Sequence, residues 1–343
     1  MNTTTPTTMI SGIATSGGQH CETTALGVLL DHAGLTLSEP MLFGLGAGLS
    51  FVYWDSKAQP MPFLGGRVKP FVLTQNLTRN LGLDLDVHET RSAAKAWRRV
   101  GAAIDQGVPV GMQLDSYYLE YFTAKVHFAG HVAAAYGYDD DNAYLVDTAQ
   151  QGGAVTTSLA SLAEARAARG PMSAPQRSFT VSVSSEVNLT GAHLTSRIMA
   201  AIVECANDFV NPPIANLGHR GIATAAARIP SWLGRVDDPA DIVLIATLME
   251  RAGTGGALFR NLYRDFLTEA LQRLDGDPRA AVVEQGRNGY AEAAELWTRV
   301  AGLIAEAGTD QSVRPLTEAG SLLTRIAGIE TAAMTTLAGL GER

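Results

Sequence analysis

Hydrophobic spacing changes character near residue 190, and that change limits what the chain can fold into. Before it, short apolar runs at 108–114, 131–138, 143–146 and 178–183 are bounded by Gly, Pro and Asp. Their length and their β-branched and aromatic content are those of strands. After Leu189, apolar residues recur at helical spacing through 193–209, 215–232, 238–252, 256–274, 278–307 and 314–338. Asp237-Asp238-Pro239 reads as a helix start and Gly253 as a helix end. The expected architecture is an α+β domain with an antiparallel sheet over 15–190, preceded by a flexible tail over 1–14. An all-helical domain over 191–343 follows it.

Charge excludes some partners. Lys and Arg number 26 against 34 Asp and Glu, a formal net charge of −8, and no basic run stands out. Each half carries −4, with 14 Arg and 18 acids from residue 192 onward, so neither half is a basic module. Nucleic acid and anionic membrane surfaces are therefore not expected partners. No apolar run approaches the roughly 18–20 residues of a membrane span. The stretch Met1 to Thr8 lacks the basic and apolar regions of a secretion signal, so a cytoplasmic location is expected. Two cysteines, Cys21 and Cys205, make no disulfide framework and lack partners at metal-ligand spacing, so no metal is expected. Asp139-Asp140-Asp141 reads as a turn, since no calcium-loop pattern follows it.

Two segments carry chemistry. In the first, Ser16-Gly17-Gly18-Gln19-His20-Cys21 leads into an apolar helical run ending near His32-Ala33-Gly34. A thiol at a helix N-terminus feels the positive end of the helix dipole, which favours thiolate. The unsatisfied amides there offer an oxyanion site. In the second, the strand from His131 to Tyr138 and the return through Ala143 to Asp147 form a hairpin. Antiparallel pairing brings His131 and Asp147 to the same end of the ladder. They share a face if the loop holds an odd number of residues. A carboxylate beside an imidazole supports imidazolium, which is what a cysteine nucleophile needs of its base. His127, four residues upstream, is the alternative histidine. Ser38 caps a short helix with Pro40 in its first turn. Gly44, Gly46 and Gly48 follow; they fit no nucleotide fingerprint and instead permit close approach of backbone or substrate.

His20-Cys21, the stretch from Ser38-Glu39 to Leu49 and the hairpin from Gly130-His131 to Asp147 together resemble the N-terminal domain of the butirosin biosynthesis protein H family. The segment Arg251 to Leu267 resembles the uncharacterised helical domain that commonly follows it. The resemblance covers roughly 15–340 and implies a papain-like cysteine-peptidase fold over 15–190. It also implies an acyltransferase that moves an acyl group from an acyl carrier protein thioester to an amine. By that resemblance Cys21 is the nucleophile, His131 the base and Asp147 its orienting acid. Related peptidases place an oxyanion glutamine a short way before the cysteine, where this chain has Thr15. Gln19 is the nearest glutamine, and the Cys21 amide is the safer donor. Gln19, His20, Glu39, Gly44, Gly46 and His127 complete the candidate set as oxyanion or substrate-binding positions.

The expected function is cysteine-dependent acyl transfer in specialised-metabolite biosynthesis, through an acyl-Cys21 intermediate, to a small amine or alcohol. A cysteine hydrolase on the same fold is the alternative, and a non-catalytic scaffold the third reading. The donor is an acyl-phosphopantetheine thioester, on a carrier protein or coenzyme A, and no cofactor is called for. Arg220, Arg228, Arg260 and Arg264 are candidates for a carrier-protein patch. The Gly44–Gly48 loop, the Gly255-Gly256 turn and the helical domain are candidates for enclosing the acceptor. Trp232 and Trp297 would permit a homodimer.

Overall fold

The computed structural model describes residues 7–57, 59–184, 187, 189–251 and 254–342. The chain forms two compact units, Met1–Leu42 with Lys69–Asn188, and Phe43–Val68 with Leu189–Arg343. A single cut near residue 190 therefore does not separate them. Residues 43–68 group with the helical half because their apolar strand residues are buried among its helices.

The chain begins with β1 (Thr8–Met9), α1 (Cys21–His32) and α2 (Glu39–Leu45), then β2 (Leu49–Trp54) and β3 (Phe63–Arg67). Next come α3 (Val72–Leu81), β4 (Asp84–His88), α4 (Ala93–Asp105), β5 (Val110–Leu114) and β6 (His131–Tyr138). They are followed by β7 (Asn142–Val146), β8 (Ala154–Ser158), α5 (Leu159–Ala167) and β9 (Ser178–Ser182). The helical part holds α6 (Gly191–Val210), α7 (Gly218–Arg228), α8 (Ala240–Arg251), α9 (Ala257–Leu271), α10 (Ala280–Asp310) and α11 (Val313–Ala338). Asp238 caps α8 through the Ala240 amide at 2.9 Å. Gly253, expected to end that helix, lies outside the described residues.

The sheet of the first unit runs β4-β9-β5-β6-β7-β8, with β1 added on β6, and every pairing is antiparallel. Alternate residues of β5, β6 and β7 bury one face. Val110, Met112, Leu114, Ala133, Ala135, Ala143 and Leu145 pack there with Val100 and Ile104 of α4 and Leu162 and Ala165 of α5. The alanines of β6 let the helices approach closely, and each large aliphatic buried in such a layer contributes about 1.5–3 kcal/mol. The tail is ordered earlier than expected. Thr8 and Met9 pair with Tyr138 and Gly137, and the Ile10 amide donates to Tyr136 O at 2.9 Å. Ile10 is drawn in because its side chain completes the same apolar layer.

In the second unit, β2 and β3 pair as a hairpin. Phe51 lies against Trp297, ring centroids 5.4 Å apart, and Tyr53 stacks on Trp232 at 6.4 Å. Both tryptophans are fully buried, so neither offers the dimer surface expected of it. Arg260 is also fully buried. Its Nε and Nη2 reach the two carboxylate oxygens of Glu330 at 2.9 and 2.8 Å, and Trp297 Nε1 donates to the same carboxylate at 2.8 Å. A guanidinium locked this way cannot meet a carrier protein. Arg264 is tied to Asp265 and Asn261, whereas Arg220 and Arg228 are exposed. Cys205 is a packing residue: its Sγ donates to Leu49 O at 3.6 Å, and burial pushes the thiol up to about 12. Among the described residues, no helix is long and apolar enough to cross a membrane.

Candidate functional site

The parity of the β6–β7 hairpin decides whether His131 and Asp147 meet. Tyr138 faces Ala143, which leaves four residues between them, an even number. Taken alone, that loop would put His131 and Asp147 on opposite faces, because side chains alternate with a period of two. The register shifts between Ala135 and Gly137, and Tyr136 is the extra residue of a β-bulge. Beyond the bulge Ala135 faces Leu145 and Ala134 faces Val146. His131 thus ends the row Ala135-Ala133-His131, and Asp147 ends the row Ala143-Leu145-Asp147 on the same face. The shared face was expected from an odd loop; a bulge inside the strand supplies it instead.

The two side chains are in contact. His131 Nε2 lies 2.7 Å from Asp147 Oδ2, and both residues are buried. Tyr121 donates its hydroxyl to the same oxygen at 2.7 Å, and the Thr148 amide donates to Oδ1 at 2.6 Å. Phe122 covers the imidazole edge-on, ring centroids 5.1 Å apart. Burial alone would discharge the imidazole. The negative charge of Asp147 and the thiol of Cys21, each also hydrogen-bonded to the ring, outweigh it and raise His131 to about 10. Asp147 is held below its ordinary range: burial opposes the charge, but His131, Tyr121 and the Thr148 amide favour it more strongly. With Nε2 taken by Asp147, Nδ1 is the nitrogen that faces Cys21. Burial and the neighbouring carboxylate push Tyr121 well above its ordinary value, so it stays a phenol and a donor.

Cys21 opens α1 and is 8% exposed. His20 stands at the N-cap in extended conformation but contributes no capping side chain. Glu39 supplies the cap instead. Its carboxylate accepts from the Gln19 amide at 2.9 Å, the His20 amide at 2.8 Å and the Thr23 hydroxyl at 2.8 Å. A Cβ on Gly18 would fall 2.8 Å from that carboxylate, so a larger residue there would displace Glu39 from the loop. On its other side the approach loop lies against the chain after Asp147. The Ala149 amide donates to Gly18 O at 2.8 Å, and a Cβ on Gly17 would meet Asp147 O at 2.4 Å. Glu22, next to Cys21, accepts from the Phe71 and Thr74 amides at 3.2 and 3.1 Å and so caps α3. The start of α1 is thereby pinned from three directions.

The secondary candidates fare differently. Glu39 reaches the loop before Cys21, but its acceptors are taken up by that loop's own donors. The Gln19 and His20 amides are spent on Glu39, which leaves the Cys21 amide as the backbone donor of this stretch at the first helical turn. His127 belongs to another pair. Its Nδ1 lies 2.9 Å from Asp115 Oδ2, its ring stacks on Tyr117 at 3.9 Å, and its side chain is 60% exposed. Gly44 gives way to a side chain of its own unit: a Cβ there would fall 2.0 Å from the Phe266 ring. Gly46 is buried in the turn after α2. Gly256, with φ of +78°, begins α9. Asp139 forms the expected turn, its Oδ1 accepting from the Asp141 and Asn142 amides. Tyr121 was not visible in the sequence, for it lies 26 residues from Asp147 on no motif.

Cys21 thus opens a helix that packs on an antiparallel sheet bearing the buried His131–Asp147 pair, within an α+β domain. Residues 20–148 match the family model described as Butirosin biosynthesis protein H, N-terminal. Residues 160–337, just over half of the chain, match the Domain of unknown function (DUF4872). The chain belongs to the family defined by the DUF4872 domain, and its N-terminal part is similar to the N-terminal domain of butirosin biosynthesis protein H. Among solved structures, a chain described as a C39-like peptidase from Bacillus anthracis is 16% identical with a TM-score of 0.36. The similarity covers 53% of this chain and 100% of that one. No curated protein matches.

Proposed function

We propose that the protein is a cysteine-dependent acyltransferase using an acyl-phosphopantetheine thioester. The observation that carries this reading is the buried His131–Asp147 pair hydrogen-bonded toward Cys21. With the shared proton already on His131 Nδ1, the Cys21 sulfur attacks the thioester carbonyl. The tetrahedral oxyanion is held by the Cys21 amide. Collapse breaks the carbon–sulfur bond to pantetheine, whose thiolate takes the proton back from His131. One thioester has been exchanged for another, acyl-Cys21, at little thermodynamic cost. His131 then removes a proton from the incoming amine or alcohol, which attacks acyl-Cys21 and releases the cysteine. Asp147 and Tyr121 keep the imidazole oriented throughout.

The scheme uses no metal or cofactor, and places the enzyme in biosynthesis with a small amine or alcohol as acceptor. The donor rides on a carrier protein or coenzyme A; exposed Arg220 and Arg228 suit an acidic carrier. Transfer and hydrolysis differ only in what attacks acyl-Cys21. The test compares acyl products from an acyl-pantetheine thioester with and without a panel of primary amines and alcohols. Amide or ester formed at the expense of free acid supports transfer. Free acid released at the same rate in both arms makes the enzyme a hydrolase.

A further inference from the structure

Away from Cys21, the first unit holds a cleft of about 110 Å³ between the end of the β4–β9 pair and the start of α4. Its lining includes His88, Lys95, Ala96, Arg99, Gln176 and Ser178. The register places His88 opposite Ser178, so the cleft sits where these strands meet the first turns of α4. That volume is room for about three or four waters, the scale of one tetrahedral oxyanion.

The cations around the cleft outnumber their partners. Asp86 serves both His88, at 2.7 Å, and Arg99, at 3.4 Å. Glu89, also in the lining, is held by Arg177 at 2.7 Å. Lys95 and Arg166 have no carboxylate partner among the described residues. Arg166 is the informative one. It is only 3% exposed, and its Nη2 donates to Ala96 O at 3.4 Å and Gln176 O at 3.3 Å, two residues that line the cleft. Its Nε is buried with no hydrogen-bond partner. Burial without a counter-ion lowers this guanidinium to about 10. A buried charge of this kind is costly unless an anion meets it. Gln176 is also held in the left-handed region, φ +53°, a conformation that non-glycine residues adopt at a cost and that gathers at ligand sites.

We propose that this cleft is a binding site for a phosphate group, with Lys95 and Arg99 at its mouth, the Ser178 hydroxyl at its side and Arg166 behind its wall. A dianion there meets the Lys95 ammonium, which has no carboxylate partner, and lies near the positive end of α4, with the Arg166 charge behind the wall. The site stands independently of acyl transfer. If acyl transfer also holds, the phosphate of a phosphopantetheine donor is one source of the group, and free phosphate is the other.

The test uses the full-length protein and isothermal titration with inorganic phosphate against chloride of equal ionic strength. Wild type is expected to bind phosphate and to gain thermal stability from it. Lys95→Ala with Arg99→Ala, both exposed positions, is expected to weaken binding at least tenfold while the protein stays folded. Arg166→Lys serves as a second variant that keeps the charge but loses the planar donors; it is expected to bind more weakly than wild type. No phosphate response above the chloride control, or an unchanged response in the double variant, would overturn the proposal. Phosphopantetheine competing at least tenfold better than phosphate, with dephosphorylated pantetheine not competing, identifies the donor as the source. Equal competition identifies free phosphate.

Discussion

At the scale of the residue, the site depends on one carboxylate oxygen. Asp147 Oδ2 receives both the imidazole and the Tyr121 hydroxyl, so the imidazole plane is set by two neighbours rather than one. Asp147→Asn keeps the shape but presents an amide that cannot stabilise imidazolium. It is expected to lower kcat by about 10²–10⁴-fold with KM changed far less, as measured by steady-state thioester consumption. A loss of activity seen only as a rise in KM would mean that Asp147 contacts substrate instead. Cys21, His131 and Asp147 were legible in the sequence because each follows from a local pattern: a cysteine before a helical run, and the two ends of a hairpin. Tyr121 and the true role of Glu39 were not, because each acts across a distance in sequence that no spacing rule spans. His127 and His131 have similar surroundings in sequence. Only the register shows that one ends the apolar row while the other turns to Asp115.

At the scale of the element, the two helix starts beside the site, α1 and α3, are capped by carboxylates from other elements. Glu39 at the start of α2 caps α1, and Glu22 in the first turn of α1 caps α3. Glu39→Ala removes the acceptors of the Gln19 and His20 amides and the Thr23 hydroxyl, on either side of Cys21. The expected loss is about 1–3 kcal/mol, read by urea denaturation, together with slower alkylation of Cys21 by iodoacetamide. Glu39→Gln, which keeps one acceptor oxygen, is expected to recover part of both. Unchanged stability and alkylation in Glu39→Ala would contradict the positioning role. Strands and helices were largely legible at this scale, since periods of two and of 3.6 survive in single sequences. The β6 bulge was not, because Val132 to Tyr136 are apolar throughout, so a one-residue insertion breaks no visible alternation.

At the scale of the molecule, the change of composition near residue 190 marked the helical half but missed its first piece. Residues 43–68 read as strand and loop, and their pairing with later helices is a long-range property that composition does not carry. The electrostatics of the first unit have a consequence for stability. His131 is raised from about 6.5 in an unfolded chain to about 10. Its contribution is therefore complete below about pH 6.5, declines as pH rises, and is gone above about 10. Asp147 is lowered, so its contribution is present above about pH 4 and lost as pH falls. The stability gap between wild type and Asp147→Asn, followed by urea denaturation, is expected to be widest near pH 5–6 and to narrow toward both extremes. A gap independent of pH would contradict an ionised pair.

Acyl transfer through Cys21 requires a covalent acyl-Cys21 intermediate, which intact-mass spectrometry detects directly. Protein mixed with an acyl-pantetheine thioester, without acceptor, is expected to gain the mass of one acyl group. Cys21→Ala is expected to gain none, and a primary amine added to the acylated wild type is expected to discharge it. An adduct of the same mass and rate in Cys21→Ala would contradict the account.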